Sequence, residues 1–172
     1  MSVRKSKPLD AGGLFDYAVR SLGARALTQG ELKSRLTARA VRKADVDQVL
    51  ARLKDHGYLN DRRFAETFSR LRLDNQGLGR YRVLRDLKGR RVAPALADQV
   101  VAEAYRGVDE GELIERFLAR RIRTRPKPEA LYRMLLRAGF SSGKIVEALR
   151  KRKFAPEWVE GLESAVEDDS SA

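Results

Sequence analysis

The chain contains no cysteine and only one histidine, His56. Without cysteine there is no disulfide and no thiolate metal site, and one histidine cannot form the clusters that bind zinc. No apolar run reaches the roughly 20 residues that a membrane-spanning helix needs, and residues 1–7 lack the apolar core of a signal peptide. We therefore expect a cytoplasmic protein that holds no metal or other cofactor.

Sequence motifs of enzyme active sites are missing as well. The stretch Gly77–Gly79 is too short for a phosphate-binding loop, and no lysine followed by serine or threonine comes after it. We interpret His56, at the end of a helical segment, as a capping or surface residue. The carboxylates are scattered among arginines and are typical of solvated faces. We therefore predict no catalytic residues and a protein that is not an enzyme.

Positive charge is what the chain has in excess. Its 36 lysines and arginines outnumber 24 acidic residues, for a formal net charge of +12. The last twelve residues contain four acidic and no basic side chains, so residues 1–160 alone carry +16. This predicts a polyanionic partner, either nucleic acid or an acidic protein surface. The alternative is an arginine-rich composition that only keeps the protein soluble.

Apolar residues recur with helical spacing, and no stretch has the alternation of a strand. One pattern of five apolar positions, spaced 4, 5, 5 and 4 residues apart, occurs three times. The positions are Leu32, Leu36, Val41, Val46 and Leu50; Val83, Leu87, Val92, Ala97 and Val101; and Leu131, Leu135, Phe140, Ile145 and Leu149. Because one such unit cannot bury its apolar face alone, we predict an all-α fold of three tandem three-helix repeats, stacked into an elongated, curved rod.

The repeat predicts the division of the chain. Three three-helix repeats occupy residues 14–58, 59–108 and 109–154. Residues 1–13 precede them as a basic, flexible arm, and residues 155–172 follow as a short helix and an acidic tail.

Local signals predict where helices begin and end. Thr28 and Glu31 have the spacing of a capping box. Gly57 is expected just past a helix end, where a positive φ costs glycine little. Asn60 or Asp61 then begins a new helix. The apolar face of that helix is predicted to contain Phe64, Ala65, Phe68 and Leu71.

Two basic clusters are candidate binding sites. One lies on and after the second helix of the middle repeat, and the other ends the first helix of the third repeat. The candidates are Arg80, Arg82, Arg85, Lys88, Arg90, Arg91, Arg120, Arg121, Arg123 and Arg125. Guanidinium groups match phosphate oxygens, so these residues predict contact with a nucleic-acid backbone without reading of bases.

Aromatic residues make up only 7% of the chain, which argues against recognition of single strands by base stacking. Tyr58 and Tyr81 are candidate exposed anchors for a partner. Packing in the core is the alternative for both tyrosines, and for Tyr58 it is the one we expect.

Three blocks of residues have a recognisable pattern: Gly57-Tyr58-Leu59-Asn60-Asp61 with Arg63-Phe64-Ala65; Gly79 with Arg82, Val83, Leu87 and Val92; and Leu135-Leu136-Arg137 with Gly139-Phe140 and Ile145. On these blocks the sequence resembles the RecX family of bacterial recombinase regulators, from about Leu14 to Phe154. One departure is visible. The family commonly has Lys-Gly before the position of Val92, whereas this chain has Arg90-Arg91, with the glycine displaced to Gly89. This predicts a different turn there.

The resemblance implies three three-helix repeats and a protein without catalytic activity that binds the RecA–single-stranded-DNA filament in its groove. Members of the family generally restrain RecA's ATP hydrolysis, strand exchange and co-protease activity. We expect a monomer whose partners are the RecA filament and single-stranded DNA, with double-stranded DNA as a further candidate and no membrane.

The alternative is a general DNA-binding helical protein that contacts the phosphate backbone and uses its third helices as groove readers. Acidic residues on those helices count against it, because they repel phosphate. They are Asp45, Asp47 and Asp55 in the first repeat, and Asp98 and Glu103 in the second.

Overall fold

The computed structural model describes residues 8–122 and 127–152. Within these ranges the chain forms nine α-helices, which confirms the prediction of an all-α fold. They are α1 (Ala11–Ala24), α2 (Gln29–Thr37), α3 (Lys43–Asp55), α4 (Asp61–Gln76), α5 (Arg80–Gly89), α6 (Pro94–Ala104), α7 (Glu110–Arg121), α8 (Pro128–Ala138) and α9 (Ser142–Lys151). Most of the predicted basic arm, Arg123, Arg125, and the predicted short helix and acidic tail lie outside the described residues.

The helices form three triplets in chain order. In the first, α1 and α2 both pack against α3, and in the third, α7 and α8 both pack against α9. The chain divides into two compact units. Unit 1 takes the described residues of Met1–Thr67 and Leu87–Val100, and unit 2 takes those of Phe68–Asp86 and Val101–Ala172. The helices of the middle triplet therefore contribute residues to both units.

Side chains close in sequence determine the helix ends, as predicted. The Thr28 hydroxyl accepts a hydrogen bond from the Glu31 amide at 3.1 Å, and the Glu31 carboxylate accepts one from the Thr28 amide at 3.2 Å. This capping box begins α2. Asn60 accepts a hydrogen bond from the Arg63 amide at 2.9 Å at the start of α4. Each bond satisfies an amide that has no partner inside its helix.

Burial follows the threefold apolar pattern closely. Of its fifteen positions, fourteen are at most 4% exposed. They contribute to cores in which the faces of several helices meet. The exception is Val41, which is 64% exposed although the pattern predicts it to be buried.

A shared type of turn explains why the third position of the pattern is buried after α5 and α8. One residue with a positive φ follows each helix, Arg91 at 61° and Gly139 at 88°. The next amide then donates to a carbonyl five residues earlier. These bonds join Val92 to Leu87 and Phe140 to Leu135, each at 3.2 Å. The turn directs the following apolar side chain inward. At Arg90-Arg91, where the sequence departs from the family's Lys-Gly, Arg91 itself takes the left-handed conformation that Gly139 takes after α8.

The end of α2 lacks this turn. Ala40 stands where Arg91 and Gly139 stand in the other triplets, and it does not adopt a positive φ. The amide of Val41 donates instead to the carbonyl of Leu9 at 3.0 Å, and Leu9 and Ala40 form an isolated β-bridge. Val41 is consequently turned outward.

The apolar face of α4 is also rotated relative to the prediction. Ala65 and Ser69 are fully buried, whereas Leu71 is 53% exposed. Two residues correspond to about 200° around a helix, so a buried Ser69 places Leu71 on the outer side.

Candidate nucleic-acid interface

The helix α5 buries its apolar side chains and exposes basic ones. Val83 and Leu87 are fully buried. Arg80, Tyr81 and Arg85 are exposed. The Arg80 guanidinium lies 4.7 Å from the centre of the Tyr81 ring and donates to the Tyr81 hydroxyl at 2.7 Å. Tyr81, 47% exposed, is thus a surface residue next to a cation.

The start of α5 is held against the end of α8. The Gly79 amide donates to the Ala138 carbonyl at 2.9 Å, and the Tyr81 amide donates to the Gly139 carbonyl at 3.2 Å. A side chain at Gly79 would overlap the Gly139 carbonyl, and one at Gly139 would overlap the backbone of Arg82. The two glycines permit this close approach, which positions the arginines of α5 relative to α8.

Two arginines of α5 reach the last turn of α8. Arg82 and Arg85 both donate to the Arg137 carbonyl, at 3.2 and 3.4 Å. This carbonyl belongs to the helix end, where backbone acceptors lack helical partners and the dipole favours cations. Arg82 also pairs with Asp86 at 2.9 Å. Its charge is therefore balanced locally, whereas Arg85 has only the neutral carbonyl as a partner among the described residues.

Two arginines at the end of α7 likewise donate hydrogen bonds to carbonyls at the end of another helix, α4. Arg120 donates to the Asn75 carbonyl at 3.3 Å, and Arg121 donates to the Gln76 carbonyl at 3.2 Å. The Arg121 guanidinium also lies 4.0 Å from the centre of the Phe117 ring. Both acceptors are the final carbonyls of α4, so these arginines stabilise a helix end while remaining exposed.

We name Arg80, Arg82, Arg85, Arg120 and Arg121 the arginine cluster. All five belong to unit 2. The carbonyl that Arg121 binds belongs to Gln76, four residues before Arg80, so the two parts of the cluster adjoin the same short loop. Four residues of chain span at most about 14 Å between Gln76 and Arg80. A carbonyl acceptor orients a guanidinium without cancelling its charge. Each guanidinium has five N–H donors, so donors remain for a phosphate.

A buried tyrosine anchors that loop. The Tyr105 hydroxyl donates to the Leu78 carbonyl at 2.6 Å. Burial raises the pKa of Tyr105 well above its ordinary range, and the nearby negative charge of Asp74 adds to the effect. The hydroxyl therefore remains a donor at all physiological pH values and holds the loop between α4 and α5.

The other three described candidates belong to unit 1 and have different partners. Lys88 pairs with Asp98 at 3.3 Å. Arg90 lies 3.6 Å from a Glu31 carboxylate oxygen, and its carbonyl accepts the Thr28 hydroxyl at 2.6 Å. Arg91 forms the positive-φ turn. The structure thus gives Lys88, Arg90 and Arg91 roles in holding unit 1, while Arg123 and Arg125 lie outside the described residues.

Sequence reasoning missed two features of the surface. Tyr58, which we expected in the core, is 52% exposed. Its position after Gly57 carried no signal of exposure, because a turn of the same type, closed here by the bond from the Tyr58 amide to the Leu53 carbonyl, buries Val92 and Phe140. Arg137 is exposed beside the arginine cluster, and its place in the motif Leu135-Leu136-Arg137 was the available signal.

Across residues 8–122 and 127–152, no group of three or more His, Cys, Asp or Glu side chains is placed to hold a metal ion. None of the helices in those ranges combines the length and apolarity required to cross a membrane.

Comparison with known proteins identifies the family. The sequence model of the domain described as "RecX, second three-helix domain" matches residues 60–101. Regulatory protein RecX of Deinococcus radiodurans is 30% identical over 151 residues, which cover 86% of this chain and 72% of that protein. Regulatory protein RecX of Treponema pallidum is 32% identical over 142 residues, which cover 83% of this chain and 78% of that protein.

The fold has solved counterparts. The crystal structure of RecX from Lactobacillus salivarius superimposes with a TM-score of 0.60 at 18% identity, covering 82% of this chain and 95% of that one. This likeness concerns the fold alone. Together with the sequence identities over most of both chains, it leads to one conclusion: this chain belongs to the RecX family.

Proposed function

We propose that this protein is a non-enzymatic regulator of RecA that binds the groove of the RecA–single-stranded-DNA filament. Binding there restrains ATP hydrolysis, strand exchange and co-protease activity. The relatives named above carry the name "Regulatory protein RecX", which supports a regulatory role. The observation that carries the binding proposal is that Arg85, Arg120 and Arg121 are oriented by neutral carbonyls and keep their charge.

The arginine cluster suits a polyanion because its geometry exists before binding. Guanidiniums held at helix ends lose less conformational entropy when they bind phosphate than freely rotating side chains do. Phosphate contacts of this kind position a protein on a strand without reading its bases. A filament groove presents DNA phosphate together with an acidic protein surface, and the same cations serve both.

The test is RecA's ATP hydrolysis on preformed filaments while the protein is titrated in. The binding variant is Arg85→Gln with Arg120→Gln, because glutamine keeps an amide donor for the helix-end carbonyl and removes the charge. The matched control is Arg20→Gln with Arg63→Gln, two exposed arginines of unit 1 with the same change in net charge. We expect the binding variant to require at least about tenfold more protein for equal inhibition, and the control to match the wild type.

Circular dichroism verifies that both double variants remain folded. Equal inhibition by the binding variant and the wild type would remove the arginine cluster from the interface. A wild-type protein that binds bare DNA but leaves ATP hydrolysis unchanged would favour the general DNA-binding alternative. Inhibition far below one protein per RecA monomer indicates an action on filament ends, and inhibition only near saturation indicates coating of the groove.

A further inference from the structure

Unit 1 carries an aromatic cluster formed by the half-buried Phe15 and the exposed His56 and Tyr58, with the exposed Arg52 beside them. The rings of His56 and Tyr58 are parallel within 8°, with centroids 6.3 Å apart. Phe15 meets His56 edge to face at 6.4 Å, and the Arg52 guanidinium lies 4.4 Å from the centre of the Phe15 ring. His56 is exposed, and Tyr58 leaves 52% of its surface open. Two parallel aromatic rings thus face solvent beside a cation.

The end of α3 holds these rings in place. The Tyr58 amide donates to the Leu53 carbonyl at 2.9 Å across Gly57, whose φ is 72°. His56 Nδ1 lies 2.7 Å from the Arg52 carbonyl oxygen, which orients the imidazole. The next residue, Leu59, is buried and anchors the chain. A ring fixed in this way can stack on a partner with little loss of conformational entropy.

Packing does not require aromatic side chains at these positions. In the middle triplet the corresponding residues are Arg106, Gly107 and Val108, and Gly107 has the same positive φ, at 74°. Neither Arg106 nor Val108, the two residues that flank Gly107, carries an aromatic ring. The rings of His56 and Tyr58 are also too exposed to contribute much to the core. Contact with a partner accounts for them better than stability does.

We propose that the aromatic cluster stacks one unpaired base of a nucleic-acid strand. Parallel rings let a planar base lie parallel to both at once, and every base has a π-face for such contact. Arg52 and Lys54 are exposed in the same turn, and with Asp55 they give it a net positive charge that suits the flanking phosphates. The proposal rests on the single-strand binding included in the proposed function. It departs from the expectation that the small share of aromatic residues argues against base stacking.

The experiment compares two labelled strands of equal length by fluorescence anisotropy. One is oligothymidylate, and the other is an abasic strand with the same phosphates. We expect Tyr58→Ala to lose about fivefold or more affinity for oligothymidylate and none for the abasic strand. Tyr58→Phe, which keeps the ring, should bind both strands like the wild type. Leu71→Ala removes an exposed apolar side chain of unit 2 and should change neither affinity.

The outcomes separate this site from the arginine cluster. Arg85→Gln with Arg120→Gln should weaken both strands equally, because those residues contact phosphate. If Tyr58→Ala binds oligothymidylate like the wild type while the arginine variant does not, the stacking site is refuted and the proposed function stands. A Tyr58→Ala variant that no longer binds RecA filaments but binds oligothymidylate with wild-type affinity would likewise overturn the stacking proposal. The rings would then contact protein.

Discussion

Arg91 shows how tertiary packing maintains a conformation that its own side chain disfavours. Its φ of 61° is one that glycine adopts readily and residues with a Cβ adopt at a cost of roughly 1–2 kcal/mol. The turn packs against Gly30, where an added Cβ would lie 2.5 Å from the Arg91 Cβ. Burial of Val92, 2% exposed, depends on this turn and offsets the strain.

Replacing Arg91 by glycine should therefore stabilise the protein. Relief of the left-handed strain exceeds the extra entropy that glycine gives the unfolded chain, so we expect the free energy of unfolding to rise by about 0.5–1 kcal/mol. Urea denaturation measures the change. The matched control is Ala40→Gly at the corresponding position of the first triplet, which has no positive φ to relieve. A loss of stability in Arg91→Gly would contradict the assignment of strain.

At the scale of elements, the junction between α5 and α8 depends on backbone contact rather than on side chains. Gly79 and Gly139 lie so close that neither position has room for a methyl group. The same junction supplies the Arg137 carbonyl that binds Arg82 and Arg85. The position of the arginine cluster is thus coupled to the packing of two helices.

Gly139→Ala should destabilise the protein by about 2 kcal/mol or more, because it combines a positive φ of 88° with overlap on the Arg82 backbone. Gly23→Ala is the control, since Gly23 lies within α1 with open space around it and a helical alanine is favoured over glycine. Thermal unfolding distinguishes the two. Equal melting temperatures for Gly139→Ala and the wild type would show that the junction tolerates a shift.

At the scale of the whole molecule, the excess of positive charge predicts how binding responds to salt. The formal net charge of +12 and the oriented arginines indicate contact with phosphates. Each phosphate neutralised on a single strand lowers the logarithm of affinity by about 0.7 per tenfold increase in salt.

We therefore expect a steep salt dependence for bare oligothymidylate, and Arg85→Gln with Arg120→Gln should reduce the slope by about 0.7 for each arginine that contacts a phosphate. Anisotropy titrations at several salt concentrations give the slope. Arg20→Gln with Arg63→Gln serves again as the control and should leave it unchanged. A nearly flat response of the wild type would refute electrostatic binding.

The helical content, the capping box at Thr28 and fourteen of the fifteen apolar core positions were predictable from sequence. They depend on residues within one or two turns, where helical periodicity and capping determine the outcome. Val41 escaped prediction because its burial depends on the backbone angle of the residue before it. Ala40 provides no left-handed turn. The carbonyl of Leu9, far away in sequence, accepts the hydrogen bond from the Val41 amide instead.

The sequence by itself determined the class of fold, the repeated core pattern, the charge and the family blocks, since all of these are local or compositional. Only the tertiary structure decided which arginines keep their charge for a partner. Arg85 and Arg120 bind carbonyls 52 and 45 residues away, whereas Lys88 pairs with Asp98. It likewise decided that Tyr58 is exposed. Whether a side chain meets an acid, a carbonyl or solvent depends on helices brought together from distant parts of the chain, which no local pattern encodes.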